Sequence, residues 1–155
     1  MAGRLHVGWR LTGRGWAVCI LADDLADIEV PVSYLTEAPE DFLTAVTRLL
    51  LGQPQAEVLF NAEPSIYRLT LRRTDRLDAA TLRLALTGAG DIFWASEQPL
   101  DVLARAVVRA FDAIEVDPGE DGYLARWGRP FPRAELAALR STWRDQVKAS
   151  GRTRS

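Results

Sequence analysis

The chain has 155 residues, 48% hydrophobic and 26% charged, with a formal net charge of -2. That length buries roughly two thirds of the unfolded surface around one core, so a single domain is expected and global disorder is excluded. No run reaches the roughly 18 apolar residues of a membrane-spanning helix and the opening MAGRLHVGWR lacks the apolar stretch of a signal peptide, so a cytoplasmic protein without membrane contact is expected.

Residues 4–11, RLHVGWRL, set Leu5, Val7, Trp9 and Leu11 against Arg4, His6, Gly8 and Arg10. This is the two-residue period of a half-buried strand. The turn TGRG (12–15) and the run WAVCIL (16–21) complete a β-hairpin. After the acidic loop ADDLAD, alternation returns at Ile28, Val30, Val32 and Tyr34, and Pro31 in that strand removes a donor, which favours a sheet edge or a bulge.

Thr36 and Glu37 offer caps for a helix, Pro39 is tolerated in its first turn, and Phe42, Val46, Leu49 and Leu50 fall at helical spacing until Gly52 and Pro54 stop it. The spacing predicts a helix over 38–51. Three β-rich runs follow, AEVLF (56–60), SIYRLTLRR (65–73) and ATLRLALT (80–87), and then IFWAS (92–96) after the turn GAGD. In the middle run Tyr67, Leu69 and Leu71 share one face while Arg68, Thr70 and Arg72 share the other, as in an antiparallel sheet solvated on one side.

From Pro99 the period changes. Leu100, Leu103, Val107, Ala110, Phe111 and Ile114 mark an amphipathic helix with Arg105, Arg109 and Asp112 outside. VDPGEDG (116–122) breaks it, and Pro132 opens a last helix with Leu136, Leu139 and Trp143 on its apolar side. The expected fold is α+β, in the order β-β-β-α-β-β-β-β-α-α, a mostly antiparallel sheet with helices packed on one face. Residues 1–147 form the domain; the basic tail 148–155, KASGRTRS, has no large apolar residue to anchor it and is expected to be mobile.

Signatures of chemistry are scarce. His6 is the only histidine and Cys19 the only cysteine, so neither an internal disulfide nor a multi-thiolate metal site can be built; no metal and no cofactor is expected. Alternation within each strand sets Cys19 opposite Trp16 and His6 opposite Trp9, which would put thiol and imidazole on one face as a nucleophile and base, although a buried small hydrophobe is the favoured role for Cys19. Asp23, Asp24 and Asp27 lack the calcium-loop pattern and read as a solvated loop. Glu63, before Pro64, is expected in extended backbone, paired with Arg68 or Arg72 or receiving a partner's basic group.

The segment GYLARWGRPFPRAEL (122–136) is the densest in residue types that bind. Gly122, Gly128, Pro130 and Pro132 make it an ordered connection, and Gly128 and Pro130 prevent one helix from carrying Tyr123, Trp127 and Phe131 together. The favoured role of Trp127 and Phe131 is to pin this connection to the core. The competing one leaves Trp127 as a surface anchor among Arg126, Arg129 and Arg133, residue types that dominate binding hot spots. Residues 121–155 carry eight basic and three acidic groups, yet nucleic-acid binding ranks last, because the arginine excess is also what a GC-rich coding sequence produces.

SYLTEAPEDFLTAVTRLLLG, VLFNAEPSIYRLTLRR and GYLARWGRPFP together resemble small uncharacterised actinobacterial α+β proteins, with Ser65 where a glycine often follows the Glu-Pro pair. That resemblance implies a shared fold and carries over no catalytic residue. Small α+β proteins of this size and acidity also look like immunity proteins of bacterial toxin systems, a likeness of architecture alone. The expected function is a non-enzymatic cytoplasmic module, of immunity type, that binds a protein partner through the Trp127 segment or an exposed sheet face. The alternative is a small-ligand sensor or enzyme with a pocket for an anion between sheet and helices, using Glu63, Tyr67 and nearby arginines.

Overall fold

The computed structural model describes residues 4–74, 78–87 and 91–153, with side chains through Ala149. The glycines of the GAGD turn lie outside the described residues. The elements run β1 (Leu5–Gly13), β2 (Trp16–Asp23), β3 (Asp27–Ser33), α1 (Ala38–Leu50), β4 (Gln55–Asn61), β5 (Ile66–Arg73), β6 (Ala79–Leu86), β7 (Ile92–Pro99), α2 (Leu100–Val116), α3 (Gly119–Trp127) and α4 (Arg133–Thr153). The class is α+β and the strand order is the expected one. All pairings are antiparallel, divided into a three-stranded sheet β1-β2-β3 and a four-stranded sheet β4-β5-β6-β7.

Each strand buries alternate residues, which is why both sheets have a dry face. Val7, Trp9, Ala17, Cys19, Leu21, Val30 and Val32 come from the first sheet, and Val58, Phe60, Leu69, Leu71, Leu82, Leu84 and Trp94 from the second; all belong to one cluster. The helices close that cluster: α1 lies against β4 and β5, α2 against β1 and β7, and α4 against α1 and α2. Burying one such Leu or Phe side chain contributes roughly 1.5–3 kcal/mol. Phe42, Leu43, Val46 and Leu49 are fully buried at helical spacing, so α1 is held by packing, with no side-chain cap at its Glu37 N-cap. Pro31 sits exposed on β3, an edge of its sheet, where its missing N–H costs no ladder bond.

One expectation needs correction. The segment read as a linker contains a helix, α3, so the chain ends with helices α2, α3 and α4 where two were expected. Its N-terminal turn holds Gly119 and Gly122, a composition that lowers helix propensity and hid it from the sequence reading. The last helix, α4, keeps helical backbone through Thr153, into the segment expected to be a mobile tail; Arg154 and Ser155 lie outside the described residues.

Candidate functional site

The predicted binding segment is part of the core. Trp127 and Tyr123 are fully buried and Phe131 nearly so. Trp127 packs edge-on against Trp9 with centroids 5.7 Å apart, and Tyr123 meets Phe131 edge-on at 5.4 Å. Gly128 ends α3 in the left-handed region at φ 94°, a conformation that turns the chain without the strain a side chain would meet. The surface-anchor account of Trp127 needs an exposed indole, and the burial matches the pinning role.

The arginines around it are tied down locally. Arg129 donates from Nε to the Tyr34 carbonyl at 3.0 Å and pairs with Glu37 at 3.4 Å. Arg133 pairs with Glu120. Arg126 is exposed and fixes its neighbourhood through its backbone, its carbonyl accepting from the Gly15 N–H at 2.8 Å. Close to them lie the buried polar atoms Tyr123 OH, Trp127 Nε1 and Glu40 Oε1, none with a hydrogen-bond partner among the described residues. Burial first, then the Glu135 and Glu37 carboxylates, push the Glu40 carboxyl above the ordinary range. The Tyr123 hydroxyl is pushed up as well, by burial and by Glu40.

Glu63 and Tyr67 are not brought together into a pocket by any observed contact. Glu63 is exposed at the β4–β5 turn at φ 35°, so the expected extended backbone gives way to a tight turn held by Ala62 N–H to Ser65 O at 2.7 Å and by Glu63 N–H to Asn61 Oδ1 at 3.0 Å. Arg68 pairs with Glu57 at 3.5 Å, leaving Glu63 out of the expected ion pair. Tyr67 packs half-buried on the core side, edge-on to Phe93 at 5.9 Å. The thiol and imidazole also part. Trp9 and Cys19 are register partners and so share the buried face, while His6 is exposed on the other. Burial pushes the Cys19 thiol up, away from the nucleophilic thiolate.

The concave site lies elsewhere, along β1. Two adjoining cavities of about 480 and 350 Å³ share Leu5, His6, Ala106 and Arg109. The smaller is lined by Leu5, His6, Val7, Gly8, Trp9 and Arg10 in unbroken succession. Successive side chains of a strand point to opposite faces, so six consecutive residues can line one cavity only at the strand's edge. β1 is an edge of its sheet, and beyond its ladder to β2 its backbone forms no backbone hydrogen bond among the described residues.

The facing wall is α2, presenting Ala106, Arg109, Ala110 and Ala113 at positions i, i+3, i+4 and i+7 of one stripe. These side chains are short and leave the space beside the strand edge unfilled, which opens a trough. Ile20 and the bare backbone of Gly8 form its floor toward the outer face; a Cβ on Gly8 would meet Ile20 at 3.1 Å. The larger cavity adds Arg4, Arg105, Asp23 and Asp24. Arg105 is paired with Asp101 at 3.0 Å and Arg10 with Glu29 at 2.9 Å, whereas Arg4 and Arg109 are exposed and form no ion pair among the described residues. Burial raises the Asp23 carboxyl, but hydrogen bonds from Ser96 and the Ala26 and Leu25 amides prevail and hold it below the usual range. The trough is therefore polarised, with the Asp23 carboxylate and Arg4 at one end and Arg109, which forms no ion pair among the described residues, on the helix wall.

Sequence reading assigned each of these residues to its own element and missed their meeting, because β1 and α2 are far apart in the chain. Compared with protein-family models, curated proteins and solved structures, the chain gives no match. Its function is read from the site alone. Among the described residues there is no group of three His, Cys, Asp or Glu side chains arranged to hold a metal ion, and no helix long and apolar enough to cross a membrane.

Proposed function

We propose that this protein is a non-enzymatic binding module that holds a partner protein by taking an extended segment of it onto the free edge of β1. The observation that carries the reading is the unbroken lining of the trough by Leu5 to Arg10, an open backbone edge beside a helix wall. Strand addition draws affinity from main-chain hydrogen bonds and specificity from the side chains that flank them. Here Arg4 and Arg109 supply the specificity, because an acidic side chain on the incoming segment would neutralise cations that form no ion pair among the described residues. Natural sheets protect open edges with charge, and Arg4 just before β1 with His6 and Arg10 on it do so here, so pairing is reserved for a segment of complementary charge.

An immunity-type role, with a toxin domain as the held partner, is the finer form of this reading; it rests on architecture, and the identity of the captured chain decides it. The expected compartment is the cytoplasm, which fractionation of host cells checks. The direct test is native mass spectrometry of the protein purified from its own host, as wild type, Arg109→Glu, Ala113→Trp and Arg126→Ala. Residues 109, 113 and 126 are all exposed, so the fold is expected to survive each change. A stoichiometric partner retained by wild type and Arg126→Ala but lost from Arg109→Glu and Ala113→Trp supports the proposal. Loss from Arg126→Ala alone moves the site to α3, and a bare chain in every sample removes the reading.

A further inference from the structure

The outer face of β4-β5-β6-β7 carries a second feature, independent of the trough. Register places Gln55, Arg72, Thr81 and Glu97 in one row across the sheet and Glu57, Thr70, Arg83 and Ala95 in the next. Arg72 and Arg83 are thus diagonal neighbours on adjacent strands, alternating with Thr70 and Thr81 in a checkerboard. Diagonal neighbours stand roughly 7–8 Å apart at their backbones, within reach of one another for side chains as long as arginine.

A depression of about 470 Å³ opens at this point, lined by Gln55, Thr70, Arg72, Arg73, Thr74, Thr81 and Arg83, with no carboxylate among them. Arg73 is anchored at its rim by Nη1 donating to the Leu49 carbonyl at 2.5 Å. Arg72 and Arg83 have no ion pair among the described residues, although Arg68 on the same face is paired with Glu57. Two like charges on diagonal positions, neither in an ion pair among the described residues, disfavour the fold slightly, and an anion between them reverses the sign.

We infer that this depression is a binding site for a phosphate monoester, clamped between the guanidinium groups of Arg72 and Arg83 with the Thr70 and Thr81 hydroxyls and the Gln55 amide as further donors. The match is one of geometry. A carboxylate offers two oxygens, which one guanidinium fork satisfies; a terminal phosphoryl group offers three oxygens and up to two charges, enough for two forks and a hydroxyl. A continuous polyanion fits less well, because Glu57 and Glu97 stand in the same two rows and would repel a nucleic-acid backbone tracking across the sheet.

The test is an NMR titration at low salt with phenyl phosphate, inorganic phosphate, phenyl sulfate and a short single-stranded DNA, following the side-chain N–H signals of Arg68, Arg72 and Arg83. The expected result is saturable shifts at Arg72 and Arg83 with phenyl phosphate, weakened roughly tenfold by Arg72→Gln or Arg83→Gln and unchanged by Arg68→Gln. Equal binding of inorganic phosphate would show that the phosphoryl group alone is recognised; tighter binding of the ester would assign part of the recognition to its organic half. Absence of saturation at millimolar phenyl phosphate overturns the site. So does an equal loss in Arg68→Gln, equal affinity for the monoanionic sulfate, or tighter binding of the DNA. All three arginines lie on an exposed sheet face, so loss of fold does not confuse the result.

Discussion

The α3 segment and the β1–α2 trough are built from the same residue types and came out opposite. Around α3, arginines lie beside tryptophan and tyrosine, yet the aromatics are in the core, Arg129 holds Tyr34 and Glu37, and Arg133 holds Glu120. Along the trough, Trp9 is buried too, but among the described residues Arg4 and Arg109 form no ion pair and the strand edge beside them has no backbone partner. What separates a structural arginine from a candidate binding one here is the missing partner, and the aromatic neighbours common to both regions do not discriminate.

That contrast predicts that changes near α3 act on stability. The largest effect is expected for Trp127→Ala, which removes a fully buried indole from contact with Trp9 and Tyr123 and should cost roughly 3–5 kcal/mol in urea unfolding. If the loss is below about 1 kcal/mol, the indole is not the core element described and the contrast fails. Tyr123→Phe should go the other way, raising stability by up to about 1 kcal/mol, because it deletes a buried hydroxyl with no hydrogen-bond partner among the described residues and keeps the ring.

Glu40 sharpens the same picture through pH. Its carboxyl sits above the ordinary range in the folded protein, so as pH rises the unfolded chain gives up this proton first and stability falls across the window between the two pKa values. Glu40→Gln is therefore expected to stabilise the fold at neutral pH, with the gain vanishing in acid below the usual glutamate pKa. Urea midpoints at the two pH values measure it; a gain equal at both would assign the effect to packing. The smallest pair is Arg129→Ala and Arg133→Ala. The first loses a carbonyl bond and an ion pair and should cost about 1 kcal/mol, the second an exposed pair and at most about 0.5 kcal/mol.

Strands, α1 and α2 were legible because their apolar residues repeat with the right period, and local period is what packing enforces. Register was not. Trp9 and Cys19 face the same way because the hairpin turn at Gly13 and Gly15 pairs them, and no alternation pattern within either strand contains that information. α3 was hidden for a different reason: with glycine at both 119 and 122 and a weak apolar stripe, its helicity follows from Trp127 docking on Trp9 of β1 and Tyr123 packing on Trp127 and Phe131, a tertiary effect. The trough was invisible altogether, since it exists only where β1 and α2 meet.

Hydrogen exchange on the complex purified from the host tests the central claim most directly. Compared with the free protein, the amides of Leu5 to Arg10 are expected to gain protection, with those of α2 around Ala106 to Ala113 changing little because they are already bonded within the helix. Protection of β1 confined to alternate residues would mark an added strand, since only every second N–H points to the open edge. Protection centred on α3, or on the outer face of β4 to β7 with β1 unchanged, would contradict strand addition and with it the proposed function.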